Sequence, residues 1–258
     1  MISAPSFSFF SLRVVVLALG LTFLAVLSPD ALAEDVTKLD VRIRQSGDYL
    51  DLLQANRAKA IPARVLAKAE AIVIMRQYKV GFVIGAKGGS GVALVRNKKT
   101  RRWSPPAFVN AGEGSVGWQI GGEKSDSVIL FMDQKGMEAL NGGAFKLGVD
   151  VSAAAGPVAG GGQANFDNIR EPVLVYANTK GLYAGASIQG GGAAPDGKAN
   201  MAYYGMNMKG VHLSGKAKLT PSGQNLINKI EAYSKRKTVV RPAQPVRTVP
   251  TTKAPTAQ

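Results

Sequence analysis

Twenty-seven of the 30 glycines in this chain fall between Gly81 and Gly215, about one residue in five over that stretch. A helix loses roughly 1 kcal/mol for each glycine that stands in place of alanine, so this region is a poor helix former. In strands, glycine marks bulges, tight coiling or backbones that approach closely. The segments between the glycines are short and rich in Val, Ile and Phe: residues 71–75, 80–84, 91–95, 116–120, 127–132, 145–154, 173–178, 182–189 and 201–208 read as strands. The expectation is an α+β fold with a strongly curved, glycine-rich antiparallel β-sheet or partial barrel and with N-terminal and C-terminal helices.

The helices are legible from apolar spacing. Val36, Leu39, Ile43, Leu50 and Leu53 recur at three- and four-residue intervals or their sums, which puts them on one face of an amphipathic helix with a possible bend at Gly47. Arg42, Arg44, Asp48, Asp51 and Arg57 then read as a solvated opposite face. The apolar stripe fits a helix packed on a sheet better than one lying on a membrane, which is usually more cationic. Pro62 suits the first turn of a short second helix ending near Glu70. Helical character returns only at Thr220-Pro221, an N-cap followed by a proline at the first helical position. Leu226, Ile227, Ile230 and Tyr233 form its stripe, and Lys235, Arg236 and Lys237 sit at its C-terminal end.

The two ends of the chain read differently. Residues 1–33 carry Arg13, then an apolar run over 14–27, then Ala31 and Ala33 in a small-x-small pattern. This is the layout of a secretory signal peptide, with a mature chain beginning at Glu34; an uncleaved anchor is the alternative. Residues 238–258 hold Pro242, Pro245, Pro250 and Pro255 with cations and no acid, a composition that favours an extended, disordered tail. The expected organisation is a signal peptide (1–33), an amphipathic helix (34–60), a main domain (61–237) and a basic tail (238–258).

Composition narrows the chemistry. Thirty-two Lys and Arg stand against seventeen Asp and Glu, so the chain carries +15 and attracts polyanions. No cysteine is present, which removes thiol nucleophiles, Cys-ligated zinc and iron–sulfur clusters, and a lone His212 makes multi-His metal sites impossible. No cofactor and no metal site are expected. His212 reads as a surface or partly buried residue, not a general base. Gly112–Gly117 satisfies G-x-G-x-x-G, but a strand follows where a dinucleotide site needs a helix. Gly192–Lys198 and Gly210–Lys216 spell G-x-x-x-x-G-K, yet Ala199 and Ala217 have no hydroxyl for magnesium. No carboxylate pair has a spacing that forces a catalytic dyad; Glu123 and Asp126 are the first candidates should the fold create one.

One charge cluster has a sharp shape. Arg96, Lys98, Lys99, Arg101 and Arg102 place five cations in seven residues just before Trp103, a basic finger if the segment is a hairpin tip. At about 1 kcal/mol per cation, an anionic membrane surface would attract all five by roughly 5 kcal/mol, screened by salt. A solvated loop is the alternative. Trp103, Phe108 and Trp118 fit either interfacial insertion or, more readily, core packing.

Six segments recur in an order that carries more information than any one of them. Ile61-Pro62-Ala63-Arg64-Val65-Leu66-Ala67-Lys68-Ala69-Glu70-Ala71-Ile72 is followed by Gly88-Gly89-Ser90-Gly91-Val92 and Trp103-Ser104-Pro105-Pro106. Then come Gly114-Ser115-Val116-Gly117-Trp118-Gln119-Ile120-Gly121 with Asp126, Leu147-Gly148 through Gly156-Pro157, and Lys180-Gly181-Leu182-Tyr183-Ala184-Gly185-Ala186-Ser187. From about Ile61 to Gly215 the chain resembles the SYLF domain of eukaryotic actin-patch and SH3-containing proteins and of exported bacterial proteins. The resemblance implies an α+β lipid-binding module, not an enzyme. Members of the eukaryotic branch bind phosphoinositides, partly through an amphipathic N-terminal helix, and some bind actin. This chain shows a signal peptide and no SH3 domain, so those two partners are not expected, and its N-terminal helix matches the family only in character.

The functional expectation is an exported, periplasmic, non-enzymatic module on anionic phospholipid or another envelope polyanion, with Arg96, Lys98, Lys99, Arg101 and Arg102 as first contacts. No nucleic acid partner is expected, and no transmembrane span after signal cleavage. The alternatives are an envelope hydrolase using carboxylates, or a structural protein held on peptidoglycan by its tail.

Overall fold

Strand β1, Ala71–Phe82, alternates its side chains between two apolar layers, and that alternation organises the molecule. Ile72 and Ile74 enter one layer, and Ala71, Val73 and Met75 the other. The computed structural model describes residues 35–56, 60–82, 84–116, 121–147, 150, 152–157, 171–179 and 192–236. The expected signal peptide, the tail from 238, the strand at 182–189, Arg57 and Trp118 lie outside those residues.

The sheet contains β1, β2 (Ile84–Val95), β3 (Ala107–Val116), β4 (Gly121–Phe131), β5 (Phe145–Lys146), β6 (Ala153–Ala155), β7 (Val173–Thr179) and β8 (Gly192–Pro195). They lie in the order β5-β8-β3-β2-β1-β4-β7-β6 and curl into a half-barrel. Every pairing is antiparallel except β6 with β7, so the sheet is mixed at one edge. The fold is α+β, as expected.

Several boundaries differ from the sequence reading. Residues 71–75 and 80–84 are not two strands: β1 runs unbroken through Arg76, Gln77, Tyr78 and Lys79 and pairs with β2 from Ala71↔Val95 to Phe82↔Ile84. The polar run Arg76-Gln77-Tyr78-Lys79 interrupts the apolar pattern but not the backbone pairing. The segment 201–208 is not a strand. Its tyrosines favour β structure, but Asp196 accepts the Ala199 N–H at one end and Gly205, at φ 67, terminates the helix at the other. That helix is one of three unforeseen before Thr220.

The six described helices are α1 (Val36–Ala55), α2 (Ala63–Lys68), α3 (Gln134–Gly142), α4 (Gly197–Tyr204), α5 (Met208–Leu213) and α6 (Pro221–Ser234). Helices α1, α2, α4 and α6 cover the Ile72/Ile74 face with Leu39, Ile43, Leu50, Leu53, Leu66, Leu226 and Ile230 among the buried residues. Helices α3 and α5 cover the other face through Met137, Leu140, Met208 and Val211. Helix α1 is continuous through Gly47, where the Lys229 side chain of α6 lies across it instead of a bend. Gly91 shows why β2 needs glycine: a Cβ there would sit 2.1 Å from the Ile74 carbonyl oxygen.

His212 is more enclosed than the sequence suggested. Its ring is bonded at Nδ1 to Asn141 Oδ1 of α3 and at Nε2 to the Ala93 carbonyl of β2, each at 3.0 Å. Burial, against the pull of the Ala93 bond, pushes its pKa down to about 4. It ties α5 to α3 and to the sheet.

A candidate basic docking surface

The segment between β2 and β3 is a closed hairpin tip. Arg96 bridges Trp103 across it, the Asn97 N–H donates to Arg102 O at 2.8 Å, and the Arg101 N–H donates to Asn97 O at 2.8 Å. Asn97 folds the tip locally, since its Oδ1 accepts from the Lys99 and Thr100 N–H groups at 2.9 Å each. Arg101 completes the turn in the left-handed region at φ 58.

This geometry divides the five cations. Arg96 belongs to the root: its guanidinium lies 4.1 Å from the Trp103 ring centroid and donates to Ala69 O at 3.0 Å and Leu66 O at 3.4 Å. It thereby satisfies carbonyls at the C-terminal end of α2. Burial lowers its pKa, aided by the neighbouring Arg101 and opposed by Glu70 and by Glu231 of α6. Arg101 is also held, with both Glu70 carboxylate oxygens 2.7 and 2.8 Å from its Nη1. Lys98, Lys99 and Arg102 are exposed and enter no ion pair among the described residues. The finger therefore has a two-residue anchor and a three-cation tip. Arg64 on α2, and Lys235 and Arg236 at the end of α6, are exposed as well. Of these, Lys235 is paired with Glu231 at 3.1 Å, and Arg236 lies 4.3 Å from the Tyr233 ring centroid.

The aromatic residues beside the finger are packed inside. Trp103 and Phe108 are 7% and 0% exposed and belong to the core beneath α1 and α6, so neither is presented to a membrane. Helix α1 is likewise committed. Leu39, Ile43, Leu50 and Leu53 are at most 1% exposed, and burying four such side chains stabilises the fold by roughly 6–12 kcal/mol. Laying that stripe on a bilayer would uncover Ile72, Ile74, Val92 and Leu94 of the sheet face beneath it.

Sequence reasoning missed the long-range ion pairs, two of them largely buried. Arg42, read as solvated, has a side chain only 12% exposed and meets Asp196 at 2.8 Å while donating to Val109 O at 3.0 Å. Asp51 accepts from Lys229 at 2.5 Å and from the Tyr233 hydroxyl at 2.7 Å. Arg76 grips Asp126 through Nε and through Nη2, the latter at 2.7 Å, and stacks 3.8 Å from the Tyr49 ring centroid. That commits Asp126, one half of the candidate dyad. The backbone of Glu123 pairs with Lys79, three positions away from the Arg76↔Asp126 pair. Among the described residues, no group of three or more His, Asp or Glu is placed to hold a metal ion. No described helix is long and apolar enough to cross a membrane.

A curled sheet covered by helices on both faces, with an anchored cationic hairpin at one end, defines an α+β scaffold whose distinctive surface is electrostatic. Residues 112–233 match the family model described as "Ysc84: Las17-binding protein actin regulator". The chain is 31% identical over 179 residues to Protein YSC84 of Saccharomyces cerevisiae, covering 67% of this chain and 38% of that protein. It is 34% identical over 152 residues to SH3 domain-containing YSC84-like protein 1 of Xenopus laevis, covering 58% of this chain and 45% of that one. The human protein of the same name is 33% identical over 148 residues, covering 57% and 43% respectively. The chain belongs to the SYLF, or Ysc84-like, family. Its matching stretch spans less than half the length of these relatives. The family match reaches Tyr233 and so takes in α6, which the resemblance to Gly215 left out; the segments at 61–72 and 88–106 precede it.

Proposed function

We propose that this protein is an exported, non-enzymatic lipid-binding module that docks reversibly on anionic lipid of the cell envelope through the finger between β2 and β3. The observation that carries the reading is the division of labour in that finger. Arg96 and Arg101 fix it against α2 and Glu70, while Lys98, Lys99 and Arg102 stay unpaired and exposed at its tip. Three such cations supply about 3 kcal/mol at a membrane surface at low salt. That is enough for salt-sensitive recruitment and too little for permanent attachment. Family membership supports a lipid role, and the three exposed cations of the finger tip supply the charge for it. The commitment of Asp126 to Arg76 weighs against a carboxylate hydrolase.

The test is flotation of the mature chain with vesicles of phosphatidylglycerol and of phosphatidylcholine across a salt series. Binding to the anionic vesicles alone, lost as salt rises, supports the reading; no binding at low salt, or equal binding to both, contradicts it. Export is tested by the mass of the protein recovered from the envelope fraction, which should begin at Glu34.

A further inference from the structure

A second feature lies at the opposite end of α6 from the finger. The finger root lies within electrostatic reach of Glu231 at the C-terminal end of α6, whereas the start of that 14-residue helix borders a cleft of about 520 Å³. At 1.5 Å per residue the two are separated by roughly 20 Å. The volume falls in the range of small-ligand sites, about 300–1,000 Å³. Its walls come from the first turns of α1, the last turn of α4 and the connection leading into α6.

The walls are largely apolar and fixed. Val36 contributes a half-exposed side chain, and the rings of Tyr203 and Tyr204 form a T-shaped pair with centroids 4.8 Å apart. Both tyrosine hydroxyls are tethered, Tyr204 donating to Pro106 O at 2.8 Å and Tyr203 lying 2.9 Å from Asp40 Oδ1. The rings therefore hold their places whether or not the cleft is filled. The acid in the cleft is occupied too, since Asp40 accepts from Arg44, Ser222 and Tyr203.

The cations are not. Lys216 and Lys218 flank Ala217, which packs against the α5 side of the sheet, and both line the cleft. Both are exposed, and neither has an ion-pair partner among the described residues. Two uncompensated ammonium groups beside a rigid aromatic wall complement a ligand with a compact negative head and an apolar body.

We infer that this cleft is a binding site for a single anionic amphiphile, its phosphate or carboxylate head held by Lys216 and Lys218 and its apolar chain laid along Val36 and Tyr203. The site deepens the lipid-binding reading for its ligand class, but it is separate from the finger and stands without it. Both a free amphiphile and a phospholipid drawn from a bilayer present this chemistry.

The experiment is calorimetric titration of the mature chain with decyl phosphate below its micelle concentration, beside inorganic phosphate and decyl maltoside. The expected result is one saturable site for decyl phosphate, at least tenfold tighter than either comparator. The Lys216→Glu/Lys218→Glu variant should weaken it at least tenfold with an unchanged unfolding midpoint. Lys98→Glu/Lys99→Glu/Arg102→Glu should leave it within twofold. Flotation of the cleft variant on phosphatidic acid vesicles then separates the sources: loss supports the site with a bilayer lipid as ligand, retention supports it with a free amphiphile. Absence of decyl phosphate binding, parity with either comparator, or indifference to the double variant would overturn the inference. Decyl phosphate binding without any vesicle binding would leave the cleft standing and the finger model refuted.

Discussion

Replacing Asp196 probes the joint between α1, β8 and α4. Its carboxylate does two things: it meets the Arg42 guanidinium at 2.8 Å, and it caps α4 by accepting the Ala199 N–H at 3.1 Å. The side chains of the pair are 12% and 10% exposed, so solvent screens them little. Asp196→Asn keeps a good N-cap and removes the charge, leaving Arg42 with only neutral acceptors at Val109 and Asn110. Breaking a buried pair by removing one partner costs about 3–5 kcal/mol, and the remaining acceptors place Asp196→Asn near the lower end, at about 3 kcal/mol. Asp196→Ala also loses the cap and should cost about 1 kcal/mol more. Arg42→Met leaves the Asp196 carboxylate buried without its cation and gives up the bonds to Val109 and Asn110, so it should cost at least as much as Asp196→Asn. Urea unfolding followed by far-UV circular dichroism measures all three. A loss below 1 kcal/mol for Asp196→Asn would refute the argument that this pair is desolvated and holds α4 to α1.

Three further predictions follow from single contacts. Gly91→Ala should cost about 3 kcal/mol or prevent folding, because the new methyl meets the Ile74 carbonyl, whereas Gly88→Ala, with nothing within 4 Å, should stay within about 0.5 kcal/mol in the same unfolding assay. Arg96→Ala should destabilise by about 2 kcal/mol through loss of the Trp103 stack and the bonds to α2, while Lys98→Ala should be neutral; equal effects would contradict the division of the finger. His212 has a folded pKa near 4 against 6.5 when free, so the unfolded chain binds the extra proton between those values. The stability it contributes is complete above pH 6.5 and falls by about 3 kcal/mol as pH drops to 4, a slope that His212→Gln should lack; an imidazole titrating above pH 6 by NMR would show the reasoning wrong.

The sequence carried the local features and lost the long-range ones. Both long helices were readable, α1 from its stripe of Leu39, Ile43, Leu50 and Leu53 and α6 from the Thr220 cap and Pro221. Glycine density pointed correctly to a curled sheet, and Gly91 gives the reason in atomic terms. Helix α4 was misread because Tyr203 and Tyr204 favour strands in isolation, although Asp196 and Gly205 bracketed it with cap residues that were there to be read. Arg42 looked solvated because its neighbours on α1 are polar, and its partner stands 154 positions away. Arg76 and Asp126, 50 positions apart, become a pair only through the β1/β4 register. Within the finger the cluster of cations was visible, but its split into anchor and tip depends on Glu70, Ala69 and Trp103, which the fold brings to it.

The most direct measurement of the central claim is the vesicle partition coefficient of Lys98→Glu/Lys99→Glu/Arg102→Glu beside the unaltered protein, on phosphatidylglycerol vesicles at low salt. Removing about 1 kcal/mol per cation, the account predicts at least a hundredfold loss with an unchanged unfolding midpoint. A partition coefficient within threefold of the unaltered protein would contradict it.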